Sequence, residues 1–342
     1  MAGALEAYDP ARAPEPFGLH NTGVICHFNA LLQALAGCTS VARAALRHRG
    51  YLARTRTGRA FHDFFWATVP AGRSAGGAPF EAGVELGSRS ARLLAALVAD
   101  LRARRPAFLY GPSQESASEG LVLLLDMLDA PARRGGPPEE NPIARLFYHR
   151  YEATVYCLAC RAAVSEELDV AVQFNLFHFD SLSFPPATPE EFGDLIRGHV
   201  SPLEGYLCER CGARGRGVRR YRLRMVPEVL VCLFNLYGGA GRARRYFPAR
   251  LPLPGEGGGL LWYRWVAQIE HGGSLHGGHY VTAALRAGGR PFRFDDEAAV
   301  PTDRAGPAPN VYIVLYHADS PPSPPSSKKM LQRQFHYFGC PS

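Results

Sequence analysis

Apolar positions follow two regimes along the chain, helical spacing first and short strand-like runs afterwards. From Cys26 onward, Phe28, Leu31, Leu32 and Leu35 stand at i, i+3, i+4 and i+7, which places them on one face of a helix. Gly37 then supplies a stop. A second helix is predicted over about 90–104 and a third over about 116–128, where Leu121, Leu124, Leu125 and Leu128 repeat the pattern. Beyond Arg145 the spacing changes. Runs at 151–156, 168–174, 220–225, 229–236, 260–269, 280–285, 291–294 and 311–317 are β-branched or aromatic and read as strands. Gly- and Pro-rich segments at 70–79, 131–142, 238–245, 252–259 and 302–309 read as the loops between them. The expected class is therefore α+β, helical in the N-terminal half and β-rich in the C-terminal half. Residues 1–16 carry three prolines and no periodic pattern, so they read as a flexible lead-in. Residues 318–342 open on a Ser-Pro run and read as a disordered tail, leaving one domain over 17–317.

Composition narrows the classes. With 46% hydrophobic and 20% charged residues, the 342-residue chain is globular rather than disordered. It has no apolar run of membrane-spanning length and no signal-peptide pattern at its start. The net charge of +7 raises nucleic acid as a partner, but the basic residues are scattered and no nucleic-acid motif accompanies them. Nearly all of them are arginine: the lysines are Lys328 and Lys329, a bias that a GC-rich gene produces. The reading is a protein without membrane or nucleic-acid partners, monomeric, in the cytoplasm or nucleus.

Eight cysteines in such a chain point to metal ligands or nucleophiles. Cys157 and Cys160 form one C-x-x-C, and Cys208 and Cys211 form a second. Two such pairs match a tetrahedral structural zinc site, whose long intervening stretch would build a protruding β-subdomain with zinc at its tip. Cys26 is different. It sits just before the first strong helix, where unpaired N–H groups and the helix dipole favour a thiolate. Gly23 permits a tight turn beside it, and Asn21 could aim an amide donor at an oxyanion. A thiol nucleophile needs an imidazole base and a group to orient that base. His279 follows a glycine-rich stretch and precedes a strand, with a turn signal at 287–290 beyond it. Centring an antiparallel hairpin on residue 287 pairs position 279 with 295, so Asp295 is the expected orienter, with Asp296 its replacement after a one-residue slip.

These residues together resemble the ubiquitin-specific protease family of deubiquitinating enzymes, papain-like cysteine hydrolases. Gly18 to Leu35 resembles the family's Cys box, Gln114 to Asp126 its glutamine-rich helical box, and Gly277 to Val281 with Phe294 to Asp296 its His box. The resemblance implies a right-hand architecture: a helical thumb over about 17–145, zinc-tipped fingers over about 146–225 and a palm over about 226–317. It implies that Cys26 is the nucleophile, His279 the base, Asp295 the orienter and Asn21 the oxyanion donor. Gln114 and Glu119 would line the cleft, Glu119 facing an arginine of the substrate's tail. His271, Gly277 and Gly278 would border the tail channel, and Gly238–Arg245 would form a second, short bordering loop. Cys157, Cys160, Cys208 and Cys211 would hold structural Zn2+. The implied partner is ubiquitin, with its conjugated substrate protein, and the implied reaction is hydrolysis after ubiquitin's C-terminal glycine. Two alternatives remain open: the interferon-induced ubiquitin-like modifier as substrate, or a pseudoprotease that binds ubiquitin without cutting. Val24, Ile25, His27, Ser116 and Gly120 depart from the family's usual residues.

Overall fold

The computed structural model describes residues 14–21, 23–68, 79–104, 115–133, 141–171, 174–175, 188–234, 236, 246–255, 259–274, 277–303 and 305–320. Among the described residues seven helices precede the first strand: α1 (Cys26–Ala36), α2 (Thr39–Arg47), α3 (Arg49–Leu52), α4 (Arg56–Thr68), α5 (Pro79–Arg104), α6 (Ala117–Arg133) and α7 (Pro142–Phe147). The three helices expected from periodicity are α1, α5 and α6. Two further ones, α2 and α4, carry a strongly one-sided apolar face in short segments, and α5 begins eleven residues before its predicted start.

The later part builds two antiparallel-dominated sheets. Strands β1 (His149–Cys157), β2 (Ala163–Ala171), β4 (Gly198–Leu207) and β5 (Arg214–Met225) form one, in the order β2-β1-β5-β4. The other contains β3 (Phe174–Asn175), β6 (Val229–Leu233), β7 (Arg250–Pro254), β8 (Leu260–Ser274), β9 (Gly277–Arg286), β10 (Arg290–Asp295), β11 (Ala298–Pro301) and β12 (Val311–Ala318). Its order is β11-β10-β9-β8-β12-β6-β3, with β7 paired to β8. The segment joining the two C-x-x-C pairs is not a simple β-excursion. It returns to pair β3 in parallel with β6 of the second sheet and adds a helix, α8 (Pro189–Arg197). Thr188 caps α8 by accepting the Glu191 amide, Pro189 sits at its start, and Arg197 lies in its last turn. Predicted loops also shorten, because β7 takes 250–254 and α6 runs to Arg133.

Every residue of α1 is buried, including the polar His27, Asn29 and Gln33. Its apolar face is the heart of the core: Phe28, Leu31, Leu32 and Leu35 are fully enclosed with Phe64, Phe65, Leu93, Leu121 and Ile313. A helix buried all round must find partners for its polar groups, and these come from distant segments. The Thr282 hydroxyl on β9 donates to the Ala30 carbonyl at 2.8 Å, and Gln33 donates to the Phe17 carbonyl at 2.7 Å. Arg286, also fully buried, donates to the Gln33 carbonyl at 3.1 Å and to the Gln33 side-chain oxygen. Its guanidinium lies 4.1 Å from the centre of the Phe294 ring, a cation–π contact in a site without water to compete.

Arg286 therefore pins the C-terminal end of α1 to β9. Arg286→Leu should destabilise the protein by about 2 kcal/mol, because it leaves buried acceptors on Gln33 unpaired. Arg286→Lys should recover little of that, since an ammonium cannot reproduce the planar fork and ring stacking. Chemical denaturation midpoints of the three proteins measure both effects.

Candidate active site

Cys26 is the first residue of α1, and Ile25 precedes it without any side-chain cap. The backbone amides of Tyr280, at the start of β9, of His27 and of Cys26 itself each favour the thiolate of Cys26. Those amides act in the direction expected of a helix N-terminus. They do not prevail. Burial is the largest influence and raises the thiol above its ordinary value, and the nearby Asp296 carboxylate adds to the rise. At 5% exposure the sulfur has little water to stabilise its charged form.

The residue before Tyr280 is His279. His279 Nε2 meets Asp295 Oδ1 at 2.6 Å, both side chains about half exposed, so the structure brings together the two residues that the sequence pairs. The register behind the pairing differs from the expected one. The turn centres on Gly288, whose φ of 76° is the left-handed conformation glycine favours, and Phe294 pairs with Thr282. This slides the strands by two residues relative to a hairpin centred on 287. A two-residue slip keeps each side chain on its face, so Asp295 still reaches His279 diagonally. With Nε2 held by Asp295, Nδ1 is the ring nitrogen left to accept a proton.

Asp296 does something separate. Its φ of 46° turns the backbone into the left-handed region, which aspartate tolerates better than most residues. The carboxylate then accepts from Asn21 Nδ2 and from Asn29 Nδ2, each at 2.9 Å, while its carbonyl accepts the Leu19 amide at 2.8 Å. Asn29 also accepts from Ser90 of α5 at 2.7 Å. One carboxylate thus ties the segment before Cys26 to the helix after it. Asn21 uses its oxygen to hold the turn, accepting from Gly23 at 3.1 Å and Ile25 at 3.4 Å, and one N–H of its amide group remains beyond the bond to Asp296. The fit is close: a Cβ on Gly18 would lie 2.0 Å from the Glu297 carbonyl oxygen, and one on Gly87 of α5 2.4 Å from the His20 nitrogen. Neither Asn29 nor the clamping role of Asp296 was anticipated from the sequence. The Asp-Asp doublet at a strand end was the available signal.

The ubiquitin carboxyl-terminal hydrolase family model matches residues 17–316. The chain belongs to that family. Among its relatives is ubiquitin carboxyl-terminal hydrolase 36 of Drosophila simulans, 26% identical over 209 residues, which are 56% of this chain and 20% of that protein. The corresponding Drosophila erecta protein is 27% identical over 198 residues, 53% of this chain and 17% of the relative. The matched stretch is thus about a fifth of the length of these relatives. Among solved structures, the SAGA DUB module Ubp8/Sgf11/Sus1/Sgf73 bound to monoubiquitin aligns with a TM-score of 0.66 at 15% identity, covering 92% of this chain and 71% of that one. The same module bound to ubiquitin aldehyde aligns at 0.64 and 16%, covering 90% and 70%. The fold is accordingly the papain-like one of ubiquitin-specific proteases.

The remaining positions expected of a family hydrolase fall as follows. Glu119 lies in the first turn of α6, where partial desolvation and then Glu115 raise its carboxyl. Ser116 joins the Tyr312 hydroxyl at 2.8 Å. Gly277 and Gly278 open β9, and a Cβ on Gly278 would lie 2.5 Å from His271 Nε2. His271 itself is buried and stacks on Tyr280 with ring centres 4.2 Å apart. Gln114 and the 238–245 segment lie outside the described residues. The four cysteines converge at one end of the smaller sheet: Cys157 Sγ is 3.9 Å from Cys211 Sγ, and Cys160 Sγ is 4.0 Å from Cys208 Sγ. Each pair is followed by a left-handed residue, Arg161 at φ 54° and Gly212 at φ 69°. In each, the first cysteine's amide also donates 3.0 Å to a carbonyl five residues on, so the two turns repeat one design. The Cys160 amide, ahead of the other influences, brings the Cys157 thiol down to about 7. Four sulfurs 2.3 Å from a single tetrahedral ion would stand about 3.8 Å apart, so the cluster fits such an ion.

The pKa balance at Cys26 is directly measurable. In His279→Ala the alkylation rate of Cys26 by iodoacetamide should rise with pH through a midpoint above that of an ordinary thiol, because burial opposes the thiolate. A midpoint at or below the ordinary value would contradict the burial argument.

Proposed function

We propose that the chain is a thiol isopeptidase that hydrolyses the bond after the C-terminal glycine of ubiquitin conjugates. What supports this reading is the influence of the Tyr280 amide on the Cys26 sulfur, one residue along the chain from the imidazole that bonds Asp295 at 2.6 Å. His279 Nδ1 takes the thiol proton, and the sulfur attacks the glycine carbonyl carbon. The developing oxyanion is received by the free N–H of Asn21 and by the Cys26 backbone amide. His279 then protonates the departing lysine amine, leaving a thioester. Water, deprotonated by the same imidazole, releases the glycine carboxylate and restores the thiol. Asp295 holds the ring in the tautomer that leaves Nδ1 basic.

Ubiquitin as the partner is supported by the ligands named for the structural relatives, monoubiquitin and ubiquitin aldehyde. A Cβ on Gly278 would collide with His271, so that position at the opening of β9 carries no side chain that would obstruct a tail ending in two glycines. Cys157, Cys160, Cys208 and Cys211 would hold one Zn2+ that braces the smaller sheet and takes no part in bond cleavage. The reading places the protein in the cytoplasm or nucleus.

Ubiquitin carrying a C-terminal electrophile should label the wild-type chain covalently, and Cys26→Ala should abolish both labelling and hydrolysis of a fluorogenic ubiquitin substrate. Binding of ubiquitin without labelling would favour the non-catalytic alternative, and preferential labelling by the interferon-induced modifier would change the substrate. Metal analysis of the same sample should return one zinc per chain. Cys208→Ser should lower both zinc content and thermal stability, because metal binding at such sites contributes to folding.

A further inference from the structure

His279, Asp295 and Asp296 offer three ligand atoms that all lie within 4.8 Å of one another. His279 and Asp295 are each about half exposed, so a hydrated ion can reach them. Each oxygen of Asp296 receives one amide N–H, which leaves a lone pair on each for another partner. Metal–ligand bonds of about 2.0–2.2 Å in a tetrahedron would set the three donors about 3.4 Å from one another, so His279 and Asp295, now 2.6 Å apart, would open slightly, an adjustment available to half-exposed side chains. Two carboxylates and a neutral imidazole also balance a +2 charge, with water completing a tetrahedron.

We propose that His279, Asp295 and Asp296 form a second divalent-metal site, suited to a borderline ion such as Zn2+, which reversibly switches hydrolysis off. The inhibition follows from which nitrogen is used. Asp295 faces Nε2, so that is the nitrogen the ion would take. An imidazole ligated at Nε2 carries its proton on Nδ1. The proton displaced from Nε2 returns through water to Nδ1, so a neutral ring neither gains nor loses one overall. Nδ1 is then a donor and cannot accept the Cys26 proton, and the buried thiol stays unreactive. The four-cysteine cluster is unaffected, being made of different ligands on the other sheet. The inhibitory half of the proposal rests on the hydrolase reading; the metal site does not.

The test uses the full chain with its four-cysteine site filled and excess metal removed by gel filtration. Calorimetric titration with Zn2+ should show one further equivalent, absent in His279→Ala and at least tenfold weaker in Asp296→Ala. Cys26→Ala should keep it. Over the same concentrations the hydrolysis rate of the wild type should fall at least tenfold and return when histidine is added as a weak chelator. A titration with no further equivalent, or one unchanged in His279→Ala, would overturn the site. Its loss in Cys26→Ala would also overturn it, by assigning the ion to the thiol. Binding without a fall in rate would overturn the switch alone. Should Asp296→Ala fail to fold, His279→Ala, changed at an exposed side chain, decides the matter. Should the wild type prove inactive, calorimetry still decides the site, and the ubiquitin probe separately decides the hydrolase reading.

Discussion

The site depends on the complete burial of α1 beneath the β9–β10 hairpin. A helix with one wet face can leave its polar side chains to water, but this one has none. Asn29, Gln33 and the Ala30 carbonyl must therefore be satisfied from within, and their partners are Asp296, Ser90, Phe17, Arg286 and Thr282. Each of those bonds reaches a different part of the chain. The demand that no buried polar group be left unpaired thus locates the N-terminal segment, α5 and the hairpin against one helix. The thiol at the end of that helix is placed as a consequence.

Enclosure also sets the chemistry available there. Removing Cys26 from water disfavours its thiolate more than the nearby amides favour it, so enclosure itself opposes ionisation of the sulfur. The imidazole and its carboxylate sit at the rim, half in solvent, where substrate and ions can meet them. Adjacent aspartates take different partners: Asp295 bonds the His279 ring, and Asp296, on a left-handed backbone, clamps Asn21 and Asn29.

The smaller sheet is held differently. Its strands carry exposed ion pairs such as Arg224 with Glu152 and Arg216 with Glu204, which contribute little in water. Inward-facing side chains of β5 and α8 join the second hydrophobic cluster, and β3 ties the intervening chain to the larger sheet. The far end has four sulfurs in place of a core. Each turn arranges two of them through its own backbone, and one ion would join the two turns.

Local spacing was enough to reveal α1, α5 and α6, most strands, the convergence of the four cysteines and the pairing of His279 with Asp295, because each leaves a periodic or motif-scale trace. The capped start of α8, Thr188-Pro189 with acidic residues behind it, was equally present in the sequence and went unread beside the stronger strand signals. Tertiary structure alone decided the rest. It set the hairpin register two residues away from the expected one, turned Asp296 toward two asparagines that no spacing connects to it, and made the helix-end thiol harder to ionise. Periodicity records which face of an element is apolar. Register, the direction of a left-handed residue and the water excluded from a sulfur arise only when distant segments close on one another.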